Sequence, residues 1–238
     1  MRGRRHSPMA HAFATPLQLL ASMEEGAEAV PLEGFLEVCR AVLPVVDQLG
    51  AGMALVRGDV GGNIERVAAR LAGDAERSKT ADGYCAACVA DGNVEDNAGP
   101  AKALLWLTRA NLFVATLLAH AARSPAIWAD ASPAAAAAAD QASRDDDTPP
   151  CTSVGDCASQ AYGATLKPYH GFLASSAFSV ALLAVPSASG LVSALGGDCA
   201  DPVALQAAMR AFSVRWRGVL ARVRGAVERH GLWFPDQV

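Results

Sequence analysis

Apolar and polar positions alternate along most of this chain with the period of an α-helix. Apolar residues recur at spacings of three and four, and no stretch shows the two-residue alternation of a half-buried strand. Proline interrupts two of the helical patterns, because Pro44 bends one segment and Pro168 breaks another near Lys167. The sequence therefore predicts an all-α fold, with helices over residues 16–27, 31–49, 53–72, 84–90, 101–122, 159–185, 191–195 and 201–230.

The helix predicted over residues 53–72 carries an unusual polar face. Asp59, Asn63 and Arg66 lie at i, i+4 and i+7, so their side chains project in one direction. Asp59 offers only acceptors, Asn63 offers an acceptor and donors, and Arg66 offers only donors. This combination suits a polyhydroxylated or amide-bearing head group. From this stretch alone, a solvated polar face with a weak Asp–Arg interaction is the better interpretation. Gly61 and Gly62 indicate a close approach by a ligand or another backbone, since each costs a helix about 1 kcal/mol relative to alanine.

Two segments differ in composition from the rest. Residues 1–15 predict a basic, disordered N-terminal extension, and a transit peptide remains an alternative. Residues 124–158 hold a run of alanines followed by an acidic, proline-terminated stretch, which predicts a mobile low-complexity insertion. Between and around them, residues 16–238 are long enough to form one domain with a sizeable core. The apolar C-terminal residues 232–238 are expected to fold back onto it.

Composition narrows the classes of function. Hydrophobic residues make up 52% of the 238 residues, but the most apolar stretch, 103–122, carries Arg109 near its middle, where a membrane-spanning helix rarely does. We therefore interpret it as the buried helix of a soluble, cytoplasmic protein. The net charge of −4 argues against electrostatically driven nucleic-acid binding. Transient membrane contact through a small apolar surface stays open.

The sequence contains no strong motif for catalysis or metal binding. Six cysteines without a secretory signal predict reduced thiols, and Cys85 and Cys88 lack the second pair of a zinc site. No GxSxG, HExxH or phosphate-binding glycine loop is present. Asp59, His170 and a serine make only a weak hypothesis of a catalytic triad. Taken alone, His170 and Trp106 are interpreted as core residues, and no cofactor, no metal and no enzymatic activity are expected.

Three blocks in chain order nevertheless resemble one family. They are Asp59-x-x-x-Asn63, then Trp106-Leu-Thr-Arg109, then Ala161-Tyr-x-x-x-Leu-x-x-Tyr-His170-Gly171. The glycolipid transfer protein family carries an Asp-x-x-x-Asn-x-x-Lys helix, a Trp-Leu-x-Arg helix and an Ala-Tyr-x-x-x-Leu-x-x-Tyr-His-Gly segment. The resemblance spans most of residues 15–238. It implies a two-layer helical sandwich around a collapsible apolar pocket, and non-enzymatic transfer or sensing of a glycosphingolipid.

The resemblance also implies roles for single residues. The sugar would stack on Trp106, and Asp59, Asn63 and Arg66 would bind its hydroxyls, with Arg66 in place of the family's lysine. Asp59 would accept the ceramide amide N–H and His170 would bind the carbonyl. Arg109 is expected to hold the Asp59 carboxylate in place. Phe172 stands where the family carries a tryptophan at the membrane interface. The lipid chains would lie against Phe35, Val45, Leu49, Leu166, Phe178, Leu182 and Phe212.

Two other functions remain as alternatives. Lys102 lies one helical turn before Trp106, where the ceramide-1-phosphate branch of the family has a basic residue, so Lys102, Arg66 and Arg109 would bind phosphate. Trp106 and Asn63 favour a sugar, because that branch replaces both with cations. A hydrolase that uses His170 on a lipid ester or amide is the third hypothesis. We expect a monomer that contacts membranes transiently.

Overall fold

The protein is described by a computed structural model over residues 11–24, 29–92, 94, 96–144, 149–197 and 201–235. The helices in these ranges are α1 (Ala14–Glu24), α2 (Leu32–Gln48), α3 (Ala54–Gly73), α4 (Ala81–Ala90), α5 (Pro100–Ala122), α6 (Pro125–Trp128), α7 (Pro133–Ser143), α8 (Val154–Thr165), α9 (Phe172–Leu182), α10 (Ala188–Gly196) and α11 (Pro202–Arg229). Short 3₁₀ helices at Ala51–Met53 and Lys167–Tyr169 precede α3 and α9. These ranges contain no β-strand, so the prediction of an all-α fold is confirmed.

Helix α5 is the centre of the fold. It begins with Pro100, whose fixed φ suits the first helical position, and it packs against α3, α8 and α11. By length and composition it resembles a membrane span, but 83% of its most apolar window is buried inside the protein. The prediction that this stretch is a core helix is therefore confirmed.

The residues predicted to contact the lipid chains pack in the hydrophobic core of the protein. Six of them are buried and Leu182 is partly buried against the same cluster. Apolar side chains at native packing density leave few voids, so a pocket lined by them opens only if the layers move apart. The buried members are Phe35, Val45, Leu49, Leu166, Phe178 and Phe212.

The predicted break at Pro168 positions His170. Helix α8 ends at Thr165, and Pro168 lies in the 3₁₀ helix that follows. Because proline disfavours a helical conformation of the residue before it, the chain turns here before α9 starts. His170 adopts an extended conformation (φ −95°, ψ 123°) between the two helices.

Two glycines allow the carboxyl end of α9 to lie against the 3₁₀ helix before α3. A Cβ atom on Gly52 would collide with the carbonyl oxygen of Ala181, and one on Gly50 with that of Ala184. Gly50 also has a φ of 102°, a conformation that other residues rarely adopt. These glycines therefore place α9 beside the start of α3.

The prediction of a mobile insertion over residues 124–158 is wrong for the part that the structure describes. The alanine run forms α7, since alanine has the highest helix propensity and the Ser132 hydroxyl caps the helix by accepting from the Ala135 N–H. One side of α7 faces the core through three small residues at helical spacing. They are Ala135, Ala139 and Ala142.

Helix α6 is anchored as firmly. Trp128 is fully buried, and its indole N–H donates to the carbonyl of Ala121 at 3.0 Å. The Ser124 hydroxyl donates to the Cys151 carbonyl and thereby ties the start of α6 to the chain before α8. Residues 145–148 of this segment lie outside the described residues.

The N-terminal extension is shorter than predicted. Phe13 is fully buried against Phe212, with ring centroids 5.5 Å apart, and the Ala12 N–H donates to the Leu195 carbonyl. Residues 11–15 therefore belong to the folded body, because an aromatic ring at position 13 can bury its surface there. Residues 1–10 lie outside the described part of the chain.

The described cysteines are free and buried. Burial raises the pKa of the Cys85 thiol to about 12 and also raises that of Cys88. Both thiols are therefore protonated and poorly reactive, which agrees with the expectation of reduced thiols. Cys199 lies outside the described residues.

Candidate functional site

Three of the predicted head-group residues line one small cavity. Asp59 on α3, Trp106 on α5 and His170 before α9 border a space of about 190 Å³. Each comes from a different block of the sequence, and the packing of α3 and α8 against α5 brings them together. The rest of the wall is apolar and consists of Leu55, Val56, Ala110, Leu166, Ala174, Ala177 and Phe178.

Asp59 stands at the mouth of this cavity, where its side chain reaches the surface. The surrounding protein raises its pKa above the ordinary 3.8, and the Asn63 amide and the charge of Arg66 partly oppose that shift. A carboxylate in such a place is partly desolvated, and its hydrogen bonds to a ligand gain strength from the low dielectric.

Asn63 and Arg66 extend the polar site along α3. The Arg66 guanidinium donates to the side-chain oxygen Oδ1 of Asn63 at 2.7 Å. Among the described residues, the buried Asn63 Nδ2 has no acceptor with good hydrogen-bond geometry, although this amide lies close enough to Asp59 to lower the pKa of that carboxyl. An unpaired buried donor costs about 1–3 kcal/mol, which a ligand acceptor would recover.

Trp106 and His170 form an aromatic wall opposite α3. Their ring centroids lie 5.9 Å apart with 30° between the planes, and both side chains are half-buried. Burial lowers the pKa of His170, and the nearby Arg109 lowers it further. The imidazole is therefore neutral near pH 7, with one nitrogen as donor and the other as acceptor.

Sequence reasoning missed the groups that hold His170. Its Nδ1 lies 3.1 Å from the Tyr162 hydroxyl, which is also 3.2 Å from the Ser175 hydroxyl. Tyr162 appears in the third block of the family pattern, but the spacing of eight residues does not reveal the contact because the chain turns at Pro168. Ser175 carries no signal in the sequence.

Arg109 sits in a buried aromatic cage. Its guanidinium carbon lies 3.5 Å from the ring centroid of Tyr169, 5.0 Å from that of Trp106 and 4.8 Å from that of Trp233. It also donates to the Phe234 carbonyl. These contacts fix the C-terminal residues beside the cavity, as their apolar character predicted. The pairing of Arg109 with Asp59 stays a prediction, since the groups that shift the pKa of Asp59 are Asn63 and Arg66.

Lys102 also contacts the C-terminal residues. Its ammonium lies 4.3 Å from the ring centroid of Phe234, and the side chain is buried. The ring of Phe234 therefore contacts a cation in this structure. The residues that line the cavity include none of the three predicted phosphate ligands, Lys102, Arg66 and Arg109.

Gly61 and Gly62 face open space. A Cβ atom added to either would meet no atom within 4 Å, so no other part of the described chain approaches them. The expectation of a close approach by another backbone is wrong, and a ligand remains as a reason for the pair. Gly62 lies on the same exposed side of α3 as Asp59 and Arg66.

An apolar surface borders the cavity on its solvent side. Among the described residues, eight large apolar side chains are exposed, and four of these lie on α9 or directly after it. Phe172 and Leu173 are 84% and 82% exposed, and Leu55, which lines the cavity, is 67% exposed. Exposed apolar patches of this kind mark interaction surfaces. The other two exposed apolar side chains on α9 or directly after it are Val180 and Leu183.

The inner wall of the cavity leads towards the core. Leu166 and Phe178 belong to both the cavity and the predicted chain pocket, and Phe178 packs edge-on against Phe113 of α5 at 5.2 Å. Within the described ranges, no cluster of three or more histidine, cysteine or acidic side chains can hold a metal ion.

Known proteins are similar to this chain in sequence and in fold. A profile of the family Glycolipid transfer protein (GLTP) matches residues 30–197. Glycolipid transfer protein 1 of Arabidopsis thaliana is 31% identical over 164 residues, which are 69% of this chain and 69% of that protein. This match and the family profile confirm the resemblance seen in the sequence.

Two solved structures have a similar fold. One shows how FAPP2 selects simple glycosphingolipids using the GLTP fold; it has a TM-score of 0.75 and 24% identity, and the match covers 96% of this chain and 100% of that one. The other is human ceramide-1-phosphate transfer protein in complex with 2:0 ceramide-1-phosphate, with a TM-score of 0.72, 15% identity and coverage of 94% and 98%. At these identities the likeness concerns the fold alone.

Proposed function

The chain belongs to the glycolipid transfer protein family, and on that premise we propose that it extracts one glycosphingolipid from a membrane and delivers it to another, or senses its level, without catalysing a reaction. The observation that carries the proposal is the convergence of Asp59, Trp106 and His170 on a single cavity whose inner wall is apolar. Such a site suits a molecule with a polar head, an amide and hydrocarbon chains.

The head group would lie between α3 and Trp106. The indole offers a flat apolar face to one side of a sugar ring, and Asp59 accepts hydrogen bonds from its hydroxyls. The unpaired Nδ2 of Asn63 donates to another hydroxyl, and Arg66 lies beside it at the surface. The open space at Gly62 leaves room for the sugar.

The ceramide amide would lie deeper, between Asp59 and His170. Asp59 accepts the amide N–H, and the neutral His170 donates to the carbonyl. Burying an amide without hydrogen bonds costs several kcal/mol, so this pair of contacts determines how far the lipid enters. The 190 Å³ cavity is too small for two hydrocarbon chains, which would enter as the core around Leu166 and Phe178 opens.

The exposed apolar surface of α9 would dock on the bilayer during exchange. Phe172 and Leu173 project from its first turn, next to the cavity mouth. Each large apolar side chain that leaves water contributes about 1.5–3 kcal/mol, enough for transient binding when two or three insert. The lipid would then pass between bilayer and cavity without crossing much water.

Ceramide-1-phosphate is the second candidate ligand, favoured by Lys102 on the same face of α5 as Trp106. Against it stand the contacts of the cations: Lys102 lies on Phe234, Arg66 donates to Asn63, and Arg109 is enclosed by aromatic rings. A buried phosphate requires charge-assisted bonds, so these side chains would first have to leave their present partners.

A transfer assay decides between the two lipids. Donor vesicles carry fluorescent galactosylceramide or fluorescent ceramide-1-phosphate, and transfer to unlabelled vesicles is followed with each lipid alone and in competition. We expect galactosylceramide to be preferred, and we expect its transfer to be unchanged by Lys102→Ala. A preference for ceramide-1-phosphate that weakens with Lys102→Ala and with added salt would contradict the assignment of a sugar.

A further inference from the structure

We propose that Tyr162 is a positioning residue for His170: its hydroxyl group fixes the imidazole ring and, together with the Ser175 hydroxyl that it contacts, determines which ring nitrogen presents a hydrogen to the cavity. The inference rests on the proposed function, because it concerns how His170 meets the lipid carbonyl. It adds two groups, the hydroxyls of Tyr162 and Ser175, to the machinery of the site.

Three hydrogen-bond contacts link the ring of His170 to its own backbone. The Tyr162 oxygen lies 3.1 Å from His170 Nδ1 and 3.2 Å from the Ser175 oxygen, which lies 3.2 Å from the His170 carbonyl oxygen. Ser175 belongs to the first turn of α9, so the chain of contacts joins α8, His170 and α9.

The Tyr162 hydroxyl is held in this place by its ring. Tyr162 is 5% exposed and stacks on Phe178, with centroids 4.3 Å apart and 12° between the planes. Since Nδ1 faces Tyr162, the other nitrogen of His170, Nε2, is the one left for a ligand. A neutral imidazole carries one hydrogen, and the environment of Nδ1 determines where it is.

Counting hydrogens assigns the tautomer in this structure. If Nδ1 carries the hydrogen, then Nδ1–H donates to Tyr162, Tyr162 donates to Ser175, and Ser175 donates to the His170 carbonyl, so each contact has one hydrogen. If Nε2 carries the hydrogen, only the hydroxyls of Tyr162 and Ser175 can donate. These two hydrogens can serve two of the three contacts, and the third contact is left without a hydrogen. The arrangement therefore favours the Nδ1–H form, in which Nε2 is an acceptor.

A lipid carbonyl needs the opposite form. A carbonyl oxygen accepts hydrogen bonds, so Nε2 must carry the hydrogen when the amide is bound. The Tyr162 hydroxyl then turns from Ser175 to Nδ1, while Nδ1 releases its proton to water and Nε2 takes one from water, with no net change of charge. Tyr162 stabilises either form, and Ser175 favours the first.

Nitrogen NMR of the full-length protein tests this assignment. With ¹⁵N-labelled histidine, the Nδ1 and Nε2 shifts distinguish the two tautomers, and the spectrum of His170→Gln identifies the signals of His170. Without lipid we expect Nδ1 to be protonated in the wild type. Addition of short-chain galactosylceramide should move the proton to Nε2.

Three variants separate the roles of the hydroxyls. Tyr162→Phe keeps the ring on Phe178 but removes the acceptor for Nδ1–H, so the preference for that form should disappear. Ser175→Ala removes the acceptor of the Tyr162 hydroxyl, which should turn to Nδ1 and favour Nε2–H even without lipid. Ser176→Ala is the matched control, because its hydroxyl donates to the Phe172 carbonyl on the outer side of α9, and it should leave both shifts unchanged.

An unprotonated Nδ1 in the wild type, or a tautomer unaffected by Tyr162→Phe, would overturn the inference. A tautomer that responds to Tyr162→Phe and Ser175→Ala but not to galactosylceramide would support the role of Tyr162 and contradict the contact of His170 with the lipid carbonyl. The two proposals can therefore fail separately.

Discussion

Replacement of Asp59 by valine removes the acceptor on which the proposed head-group site depends. In the wild type this carboxylate is partly desolvated, and the buried Asn63 amide lies close to it. Asp59 stands at the mouth of the cavity that Trp106 and His170 also border. Hydrogen bonds to charged groups contribute about 1.5–3 kcal/mol. Since about 1.4 kcal/mol corresponds to a factor of ten, transfer should fall about 10- to 100-fold.

The assay is transfer of fluorescent galactosylceramide between vesicles, with folding checked by circular dichroism and thermal unfolding. Because partial desolvation raises the pKa of Asp59, its charged form does not stabilise the fold, and the variant should stay folded at neutral pH. Glu65→Val on the exposed side of α3 is the matched control and should transfer normally. Transfer by a folded Asp59→Val protein within twofold of the wild type would refute the assignment.

Four further predictions follow from the geometry. Trp106→Ala should reduce galactosylceramide transfer about tenfold through loss of sugar stacking, and Trp106→Phe less; equal transfer by both and the wild type would contradict stacking. Phe172→Ser with Leu173→Ser should weaken sedimentation with phosphatidylcholine vesicles while thermal stability is kept, because both side chains are exposed; unchanged binding would move the docking surface elsewhere. Trp128→Ala should lower the free energy of unfolding in urea by about 3–5 kcal/mol, whereas a mobile segment would give almost no change. Asp59 has a raised pKa, so the wild type should lose stability relative to Asp59→Asn as pH rises from below 3.8 through the raised value; a constant difference in urea unfolding would contradict this.

The helical pattern was sufficient for the elements that bury one face. The segments around α3, α5 and α11 have long apolar repeats and clear end signals, such as Asp201, whose side chain accepts from the Val203 N–H. The pattern was misleading for α7, because the composition of an alanine run resembles that of a low-complexity segment. Alanine nevertheless has a high helix propensity, and the side of α7 that faces the core consists of small residues.

The site was predictable only in part. Asp59 and Asn63 share a helix face, so their proximity follows from local spacing. The meeting of Asp59 with Trp106 and His170 depends on tertiary packing, which the order of the family's blocks indicated and periodicity did not. The hydroxyl of Ser175 escaped prediction because serine at a helix start usually faces solvent, and only the turn at Pro168 brings it to His170.

Native mass spectrometry tests the central claim most directly. The purified protein is incubated with vesicles that contain equal amounts of glucosylceramide, ceramide-1-phosphate and phosphatidylcholine, and is then separated from them and weighed intact. The account predicts one protein with one glucosylceramide molecule of unchanged mass, and little of that complex for Asp59→Val. A wild-type protein that carries no lipid, that carries ceramide-1-phosphate instead, or that returns a hydrolysed lipid would contradict it.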